Sequence, residues 1–340
     1  MNTQFGIDKL NFYVPTGEWD ITPKNLKKHF TKQTITLADS DKETTRYFNN
    51  TGTINLDITK DNDLIIGTNP SHLLEPENYL RPKTFLTGDL KPYIDILDQQ
   101  IDKGGLNIDN VLNLKPCRLD FATQNFTTHN FGNYQGAFDM LGGKRQTKDI
   151  QFGMSSRVFG NASHQIMIYN KSEHLVHQGF KPIEPNFSRC EIRLLNGKEV
   201  RNKLASTLEG LANLQPINYK KFNNQFLDNK LFYRVNQTSI AFEENINLIN
   251  EIKKKHPRDS VNFFLMSKGI NFLIAEFGGV TQVQEFLKEQ LKDKSLKTLK
   301  RKLKLIDELI LFSYVNEQTS KENILTMVKE LQDIFYLKTA

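Results

Sequence analysis

The sequence is poor in cysteine and has no long apolar runs. Cys117 and Cys190 are the only cysteines among 340 residues, too few for a disulfide framework or a cysteine-bound metal, so a reducing compartment is expected. Both fall on the apolar faces of predicted strands, where small buried thiols are the ordinary state. No apolar run approaches membrane-spanning length, and no basic-then-apolar leader opens the chain. We therefore expect a cytoplasmic protein with no membrane partner.

A modest excess of positive charge is the second compositional feature. Lys and Arg number 45 against 39 for Asp and Glu, which gives a net charge of +6 and a pI near 9.0. Such a balance permits nucleic acid as a partner without requiring it. With 38% hydrophobic residues, the chain can bury the core of one large domain or of two ordinary ones.

Strand and helix patterns alternate through the first two thirds of the chain. Period-two alternation predicts strands, and apolar residues at helical spacing predict the helices between them. This order favours an α+β fold, a mixed or antiparallel sheet with helices packed on one face, with a doubled β-α-β unit as one arrangement. Predicted strands cover 7–14, a hairpin over 53–70, 118–122, 150–153, 164–173 and 189–194, and predicted helices cover 22–31, 86–101, 134–141 and 198–211.

The hydrophobic periodicity of the sequence changes after about residue 222. Strand patterns fade and helical periodicity continues to the end, which predicts a catalytic domain over 1–222 and an all-helical domain over 223–340, for DNA binding or interaction. One predicted helix, 295–312, has an apolar stripe and a basic remainder. Such a face is usually only solvated, but it also suits contacts to duplex phosphates. The cations considered for DNA binding there are Lys297, Lys300, Arg301 and Lys304.

Three predicted strands present an unusual set of polar side chains on one face. The alternation places Tyr169 in the middle of this set and leaves apolar residues on the opposite face. An ordinary solvent face carries scattered Thr, Ser and Lys, so Tyr together with carboxylates and guanidiniums indicates a site. The set comprises Tyr169, Lys171 and Glu173 on one strand, Arg189, Glu191 and Arg193 on the second, and Arg118 and Asp120 on the third.

These residue types suit attack on a phosphodiester. Tyrosine, with an ordinary pKa of about 10, becomes a useful nucleophile when cations neutralise the phosphate and stabilise the phenolate. Asp120 and Glu191 could hold one hard divalent cation through oxygen ligands. Lys171 could lower the pKa of the phenol or touch the phosphate. From spacing alone the ordinary interpretation is favoured: Tyr169 belongs to an amphipathic strand, and the charges form surface ion pairs.

Short motifs around these residues resemble the rolling-circle replication initiators of filamentous phages and related plasmids, including the trans-acting plasmid Rep proteins. The opening Ile7-Asp8-Lys9-Leu10 is similar to their first strand. The stretch 158–168 is longer than in the family pattern. The matching motifs are Gly153-x-x-Ser156-Arg157, Tyr169-x-Lys171 followed by Glu173, Arg189-x-Glu191 and Arg118-x-Asp120.

The resemblance implies a metal-dependent enzyme that nicks one strand at a replication origin. Tyr169 would form a 5′-phosphotyrosine and leave a free 3′-hydroxyl as primer, assisted by Lys171. Asp120 and Glu191, with Glu173 as a third ligand, would hold Mg²⁺ or Mn²⁺. The expected partners are origin DNA, duplex and single-stranded, and a host helicase and polymerase in the bacterial cytoplasm. The expected DNA contacts on the sheet are Arg118, Arg157, Arg189 and Arg193.

Two alternatives stay open. A non-catalytic DNA-binding regulator could keep the same sheet and would need neither Tyr169 nor a divalent cation. A conjugative mobilisation nickase is a variant of the enzyme, but the His-hydrophobic-His strand of relaxases is missing from the sequence.

Overall fold

The computed structural model describes most of the first 236 residues and selected parts of the remainder. Two predicted features lie outside the described residues: the strand over 150–153 and most of the helix over 295–312. The described residues are 4–36, 43–74, 90–143, 147–149, 155–177, 179, 186–236, 273–274, 276, 280–290, 295, 300, 304 and 318–337.

Strands account for much of the first two thirds of the chain. The longer strands are rich in the β-branched and aromatic residues that suit a half-buried pleated surface. In chain order they are β1 (Gln4–Val14), β2 (Trp19–Ile21), β3 (Phe30–Thr36), β4 (Glu43–Asn49), β5 (Ile54–Ile58), β6 (Leu64–Thr68), β7 (Leu106–Ile108), β8 (Lys115–Phe126), β9 (Thr147–Asp149), β10 (Ser156–Gly160), β11 (His164–Asn170) and β12 (Phe187–Leu194).

Helices lie between the strands and beyond them. Short 3₁₀ turns occur at Val111–Asn113 and Phe131–Tyr134. In chain order the α-helices are α1 (Pro23–His29), α2 (Pro70–Leu74), α3 (Leu90–Lys103), α4 (Gln135–Met140), α5 (Lys171–His177), α6 (Gly197–Lys203), α7 (Leu208–Ala212), α8 (Pro216–Lys230), α9 (Val280–Gln290) and α10 (Gln318–Phe335).

The described strands form one ten-stranded antiparallel sheet and a separate pair, β2 with β7. The order of the large sheet is β3-β4-β5-β6-β1-β8-β12-β11-β10-β9. This order is symmetric about the central β1–β8 pair. In the first half β1 pairs with β6, followed outward by β5, β4 and β3; in the second half β8 pairs with β12, followed outward by β11, β10 and β9. The predicted α+β class with an antiparallel sheet is confirmed, and the doubling is a repeat of five-stranded halves.

Strand β1 carries a one-residue irregularity at the centre of the sheet. Ile7 pairs with Phe121 and Lys9 pairs with Asp120, so Asp8 is an extra residue, as in a β-bulge. Below the bulge the odd-numbered residues Phe5 and Ile7 face the core; above it the even-numbered Leu10, Phe12 and Val14 do. Because of the bulge, the consecutive residues Asp8 and Lys9 both lie away from the core face of the sheet.

One face of the sheet is apolar and covered by helices. Phe121 on β8 contacts the rings of Tyr219 and Phe222 on α8, with centroids 6.0 and 5.8 Å apart. On α3 the hydroxyl of Tyr93, fully buried, lies 2.8 Å from the Thr68 hydroxyl. Burying these aromatic side chains supplies much of the stabilisation of the sheet, at about 25 cal/mol per Å² of apolar surface.

Among the predicted elements that were wrong in extent, two differ because of side-chain caps. The strand of Tyr169 ends at Asn170, because the Asn170 Oδ1 accepts the backbone N–H groups of Ser172 and Glu173 and so begins helix α5. Lys171 and Glu173 are therefore helical. The predicted helix over 198–211 is two helices, because the Thr207 hydroxyl accepts the Gly210 N–H and begins α7.

The contacts divide the chain into two units. The first comprises Met1–Phe126, Arg145–Phe226 and Ile334–Ala340, and holds the sheet. The second comprises Thr127–Lys144 and Leu227–Asp333, and is helical where described. The division of function at residue 222 stays a prediction.

The described helices include none that is both long and apolar enough to cross a membrane.

Candidate active site

The sheet register brings the predicted polar residues together on one face. Directly opposed residues of neighbouring antiparallel strands share a face. Tyr169 on β11 is opposite Arg189 on β12, which is opposite Gln124 on β8. Four residues along, Arg193 is opposite Asp120. The predicted face therefore exists, and it spans β11, β12, β8 and β1.

Tyr169 is buried, with 4% of its surface exposed. Its hydroxyl donates a hydrogen bond of 2.6 Å to the Glu191 Oε1. Burial raises the pKa of the phenol well above 10; Arg189 opposes that shift and Glu191 reinforces it. In this state the phenol is a neutral donor held in one direction, and it needs an added positive field to ionise.

Glu191 is the centre of the polar cluster. Besides Tyr169, its Oε1 lies 3.5 Å from the Arg189 Nη1, and its Oε2 accepts from the Arg193 Nη2 at 2.7 Å and Nε at 3.0 Å. Burial disfavours the carboxylate, but Arg193 and Arg189 outweigh it and lower the pKa of Glu191 to about 2. Glu191 is thus an ionised, fully engaged acceptor.

Arg189 is fixed from three sides, although it is almost completely buried. Its Nη1 donates to the Asp8 Oδ1 at 2.8 Å, and its Nη2 donates to the Gln124 Oε1 at 3.1 Å. Burial works against its charge, yet Tyr169, Asp8 and Glu191 keep its pKa above the ordinary arginine value. A permanent positive charge therefore lies beside Tyr169, on the neighbouring strand.

Asp120 forms a second ion pair on the same face. Arg118 donates to both of its oxygens, from Nε to Oδ1 at 2.9 Å and from Nη2 to Oδ2 at 2.8 Å. Arg193 lies 3.9 Å from the Oδ2. Burial raises the pKa of Asp120 and outweighs the lowering by Arg118.

Helix α5 carries Lys171 to the edge of the cluster. The Lys171 Nζ lies 5.9 Å from the centroid of the Tyr169 ring, within the range of a cation–π contact. Burial, followed by repulsion from Arg189, lowers the pKa of Lys171 to about 8. Glu173, the predicted third metal ligand, instead accepts from the Asn170 Nδ2 at 2.9 Å and does not line the cleft.

These side chains surround a cleft of about 430 Å³. Among its lining residues four cations, Lys9, Arg118, Lys171 and Arg193, face three carboxylates, and the buried Arg189 adds a fifth positive charge. The cleft therefore favours an anion. Its lining residues are Asp8, Lys9, Asn69, His72, Arg118, Asp120, Met167, Tyr169, Lys171, His174, Leu175, Glu191 and Arg193.

The carboxylates do not fit a divalent cation in their present arrangement. Both oxygens of Asp120 accept from Arg118, and both oxygens of Glu191 have guanidinium or phenol donors. Within the described residues no group of three or more His, Cys, Asp or Glu side chains has metal-binding geometry. A metal at Asp120 and Glu191 would first require Arg118 and Arg193 to turn away.

Some predicted DNA-binding residues lie elsewhere. Arg157 on β10 is opposite Ile168, on the other face from Tyr169, and its Nη1 donates to the Ser156 carbonyl at 2.8 Å. Lys300 and Lys304 are exposed helical residues. Lys297 and Arg301 lie outside the described residues. The DNA contacts of these residues stay predictions.

The sequence reasoning missed several residues of the cleft. Asp8, Lys9 and Gln124 follow from strand pairings that no local pattern reveals, although Asp8 and Lys9 lie within the opening motif. The ring of His174 lies 5.2 Å from that of Tyr169, on helix α5, whose first three residues were predicted as strand. The signal for that helix was present: Asn170 followed three residues later by Glu173 is a helix-start pattern.

Comparisons with known proteins add little to this geometry. No known protein family matches the chain, and no curated protein matches it. A solved structure of a rolling circle replication initiator protein from Geobacillus stearothermophilus is similar to it with a TM-score of 0.38 and 13% identity, over 68% of this chain and 86% of that chain. At that score the likeness carries no argument about this chain.

Proposed function

We propose that the chain is a DNA nicking and joining enzyme that initiates rolling-circle replication, with Tyr169 as the nucleophile. The observation that supports this proposal is the Tyr169 hydroxyl, 2.6 Å from the Glu191 carboxylate in a cleft with more cations than carboxylates. A phosphodiester entering this cleft would meet the phenol, a proton acceptor and several positive charges at once.

The proposed step is a transesterification. The Tyr169 oxygen forms a bond to phosphorus, and the bond from phosphorus to the 3′-oxygen of the preceding nucleotide breaks. The phenol proton passes to Glu191, which becomes a stronger base as Arg193 turns from it to the phosphate, and the leaving 3′-oxygen takes a proton from the Lys171 ammonium. The number of phosphodiester bonds is conserved, so the same step in reverse rejoins the strand without an outside energy source.

The surrounding cations have distinct parts in this proposal. Arg189, opposite Tyr169 on the neighbouring strand, stabilises negative charge as it develops on the Tyr169 oxygen. Lys171 is suited to proton transfer, because burial brings its pKa to about 8, close to neutral pH. Arg193 would contact oxygens of the attacked phosphate by exchanging part of its pairing with Glu191. Arg118 would contact another phosphate of the strand by exchanging part of its pairing with Asp120.

A divalent cation is part of the proposal only as a prediction from the motif resemblance. Bound Mg²⁺ or Mn²⁺ would polarise the scissile phosphate. Asp120 and Glu191 are the residues that would hold it, and the arginines on them would have to be displaced first. No step above is routed through it.

The proposed partners follow from the reaction. The substrate is the origin of the element that encodes the protein, recognised as duplex and cleaved as single strand. A free 3′-hydroxyl requires a polymerase, and strand displacement requires a helicase, both from the bacterial host. The proposed place of action is the bacterial cytoplasm.

The test uses the element's own supercoiled DNA with Mg²⁺. Wild-type protein should give open circles with protein attached to the 5′ end, seen as a labelled adduct that survives denaturation. Tyr169→Phe removes only the hydroxyl, so the adduct and the nicking should fall by about 10³-fold or more while DNA binding persists.

Tyr219→Phe is the matched control. Tyr219 is equally buried and its hydroxyl donates to the Leu211 carbonyl at 2.8 Å, on the apolar side of the sheet. It should cost about 1 kcal/mol of stability and leave nicking unchanged. Nicking by Tyr169→Phe at the wild-type rate would refute the nucleophile. Binding of origin DNA by wild type with no nicking at all would favour the non-catalytic regulator.

A further inference from the structure

Lys9 is a cation of the cleft that has no evident role in the fold. Within the part of the chain that the structure describes, no hydrogen bond or ion pair reaches its ammonium group. It lines the cleft, is half-buried, and lies opposite Asp120 in the sheet. Asp120 already has both of its oxygens on Arg118.

The surroundings of Lys9 are themselves positive. Burial, followed by repulsion from Arg118, lowers the pKa of Lys9, with further lowering by Arg46 and Arg193; Asp120 alone opposes it. A half-buried ammonium among guanidiniums destabilises the fold unless an anion joins it. Such an arrangement is expected where a protein keeps a charge for a ligand.

Lys9 is also well separated from Tyr169. Three strand spacings of about 4.8 Å and four residues of about 3.3 Å place their Cα atoms on the order of 20 Å apart. The Tyr169 hydroxyl is directed to Glu191, whereas Lys9 lies opposite Asp120, so the two groups line different ends of the cleft. While Tyr169 attacks one phosphate, Lys9 is therefore expected to contact a different phosphate of the same DNA strand.

We propose that Lys9, with Arg118 beside it, forms a second phosphate subsite that holds single-stranded DNA several nucleotides away from the phosphate at Tyr169. This inference rests on the proposed function for its choice of ligand. The strand would cross the sheet diagonally from β11 to β1, and the bulge at Asp8 would be its far end. The subsite positions DNA and does not read sequence.

The test measures binding of a labelled oligothymidylate of roughly 20 nucleotides. This homopolymer carries no origin sequence, so the assay reports binding without cleavage. Lys9→Gln should weaken binding about 3- to 10-fold and reduce the slope of log affinity against log salt by about 0.7, the value for one lost phosphate contact on a single strand. Lys9→Arg should retain most of the affinity. Lys115→Gln, which removes an exposed charge from the neighbouring β8, is the control and should change neither quantity.

Shortening the oligothymidylate should then locate the subsite. Below a certain length the strand cannot reach from Tyr169 to Lys9, so wild type and Lys9→Gln should bind equally. A difference that persists down to two or three nucleotides would place Lys9 at the same phosphate as Tyr169 and overturn a separate subsite.

Thermal unfolding separates this role from a structural one. Lys9→Gln should unfold at the wild-type temperature or higher, because it removes a charge from positive surroundings. Lower stability with unchanged affinity and salt slope would overturn the inference. A Tyr169→Phe protein should show the same effect of Lys9→Gln, so a failure of the nicking reaction and a failure of the Lys9 subsite are distinguishable.

Discussion

The two halves of the large sheet repeat one strand order but differ in their chemistry. In the first half, Arg46 on β4 and Asp57 on β5 form a bidentate pair, with Nε–Oδ1 and Nη2–Oδ2 distances of 2.5 and 2.6 Å. Each partner satisfies the other. In the second half, Glu191 alone accepts from two arginines and a tyrosine.

This difference shows how an ordinary charge pair on a strand is distinguished from a site. The Arg46–Asp57 pair is an ordinary ion pair between neighbouring strands. It joins one cation to one carboxylate, is partly exposed, and needs no ligand to neutralise its charge. The second half has a surplus of cations, a buried phenol and an open cleft. The site is distinguished by an excess of positive charge that only an added anion neutralises. The experiments below test this difference between the two halves.

The largest expected effect is on stability. Glu191→Gln leaves Arg193 and part of Arg189 without a carboxylate in a buried setting, and should lower the free energy of unfolding by about 3–5 kcal/mol. Asp57→Asn, the counterpart in the first half, should cost about 1 kcal/mol, because Arg46 is partly solvated. Urea unfolding of both variants measures the difference. Equal losses would mean that the cleft holds ordinary ion pairs.

The next effect concerns the basic helix predicted over 295–312. Reversing Lys297, Lys300, Arg301 and Lys304 to Glu should weaken binding to duplex DNA of any sequence by about a hundredfold. At about −0.9 per phosphate contact, the loss of these four cations should remove a salt-slope contribution of about −3.6. Cleavage of a short single-stranded oligonucleotide carrying the nick site should be nearly unchanged.

A control with the same change of net charge is available on helix α1 and strand β3. Reversing the exposed lysines there should leave duplex affinity within a few-fold of wild type. An equal loss from both variants would show that net charge alone governs binding and that the basic helix is only solvated. The control residues are Lys24, Lys27, Lys28 and Lys32.

The smallest effect concerns the metal. Because Arg118 occupies both oxygens of Asp120, Arg118→Gln should free that carboxylate and tighten Mn²⁺ binding by about tenfold, measured calorimetrically without DNA. Arg46→Gln frees Asp57 in the same way, but Asp57 is the only carboxylate paired with Arg46 among the described residues, so this variant should not create a Mn²⁺ site. Equal Mn²⁺ affinity in wild type and Arg118→Gln would remove Asp120 from the predicted ligands.

Local pattern was enough to predict the shared face of the site. Period-two alternation placed Tyr169, Glu191 and Asp120 on one side, and the register agrees because each lies within a regular strand. The same reasoning failed at Lys171, where a side-chain cap on Asn170 ends the strand. It could not reach Asp8, which contacts Arg189 across 181 positions of sequence, since that pairing depends on the order of strands in the sheet.

The bulge at Asp8 also bears on how this chain is aligned with others. Asp8 is an insertion in β1, and between Asn11 and Phe12 the register shifts back, because Cys117 is an extra residue in β8. The two extra residues compensate each other, so β1 and β8 pair over segments of equal length. A sequence alignment of these strands without gaps would therefore hide both insertions. In a protein without the bulge, the residue equivalent to Lys9 stands one place nearer the start of its strand. Homologous positions in this strand must therefore be matched by their partners in β8 and not by counting along the chain.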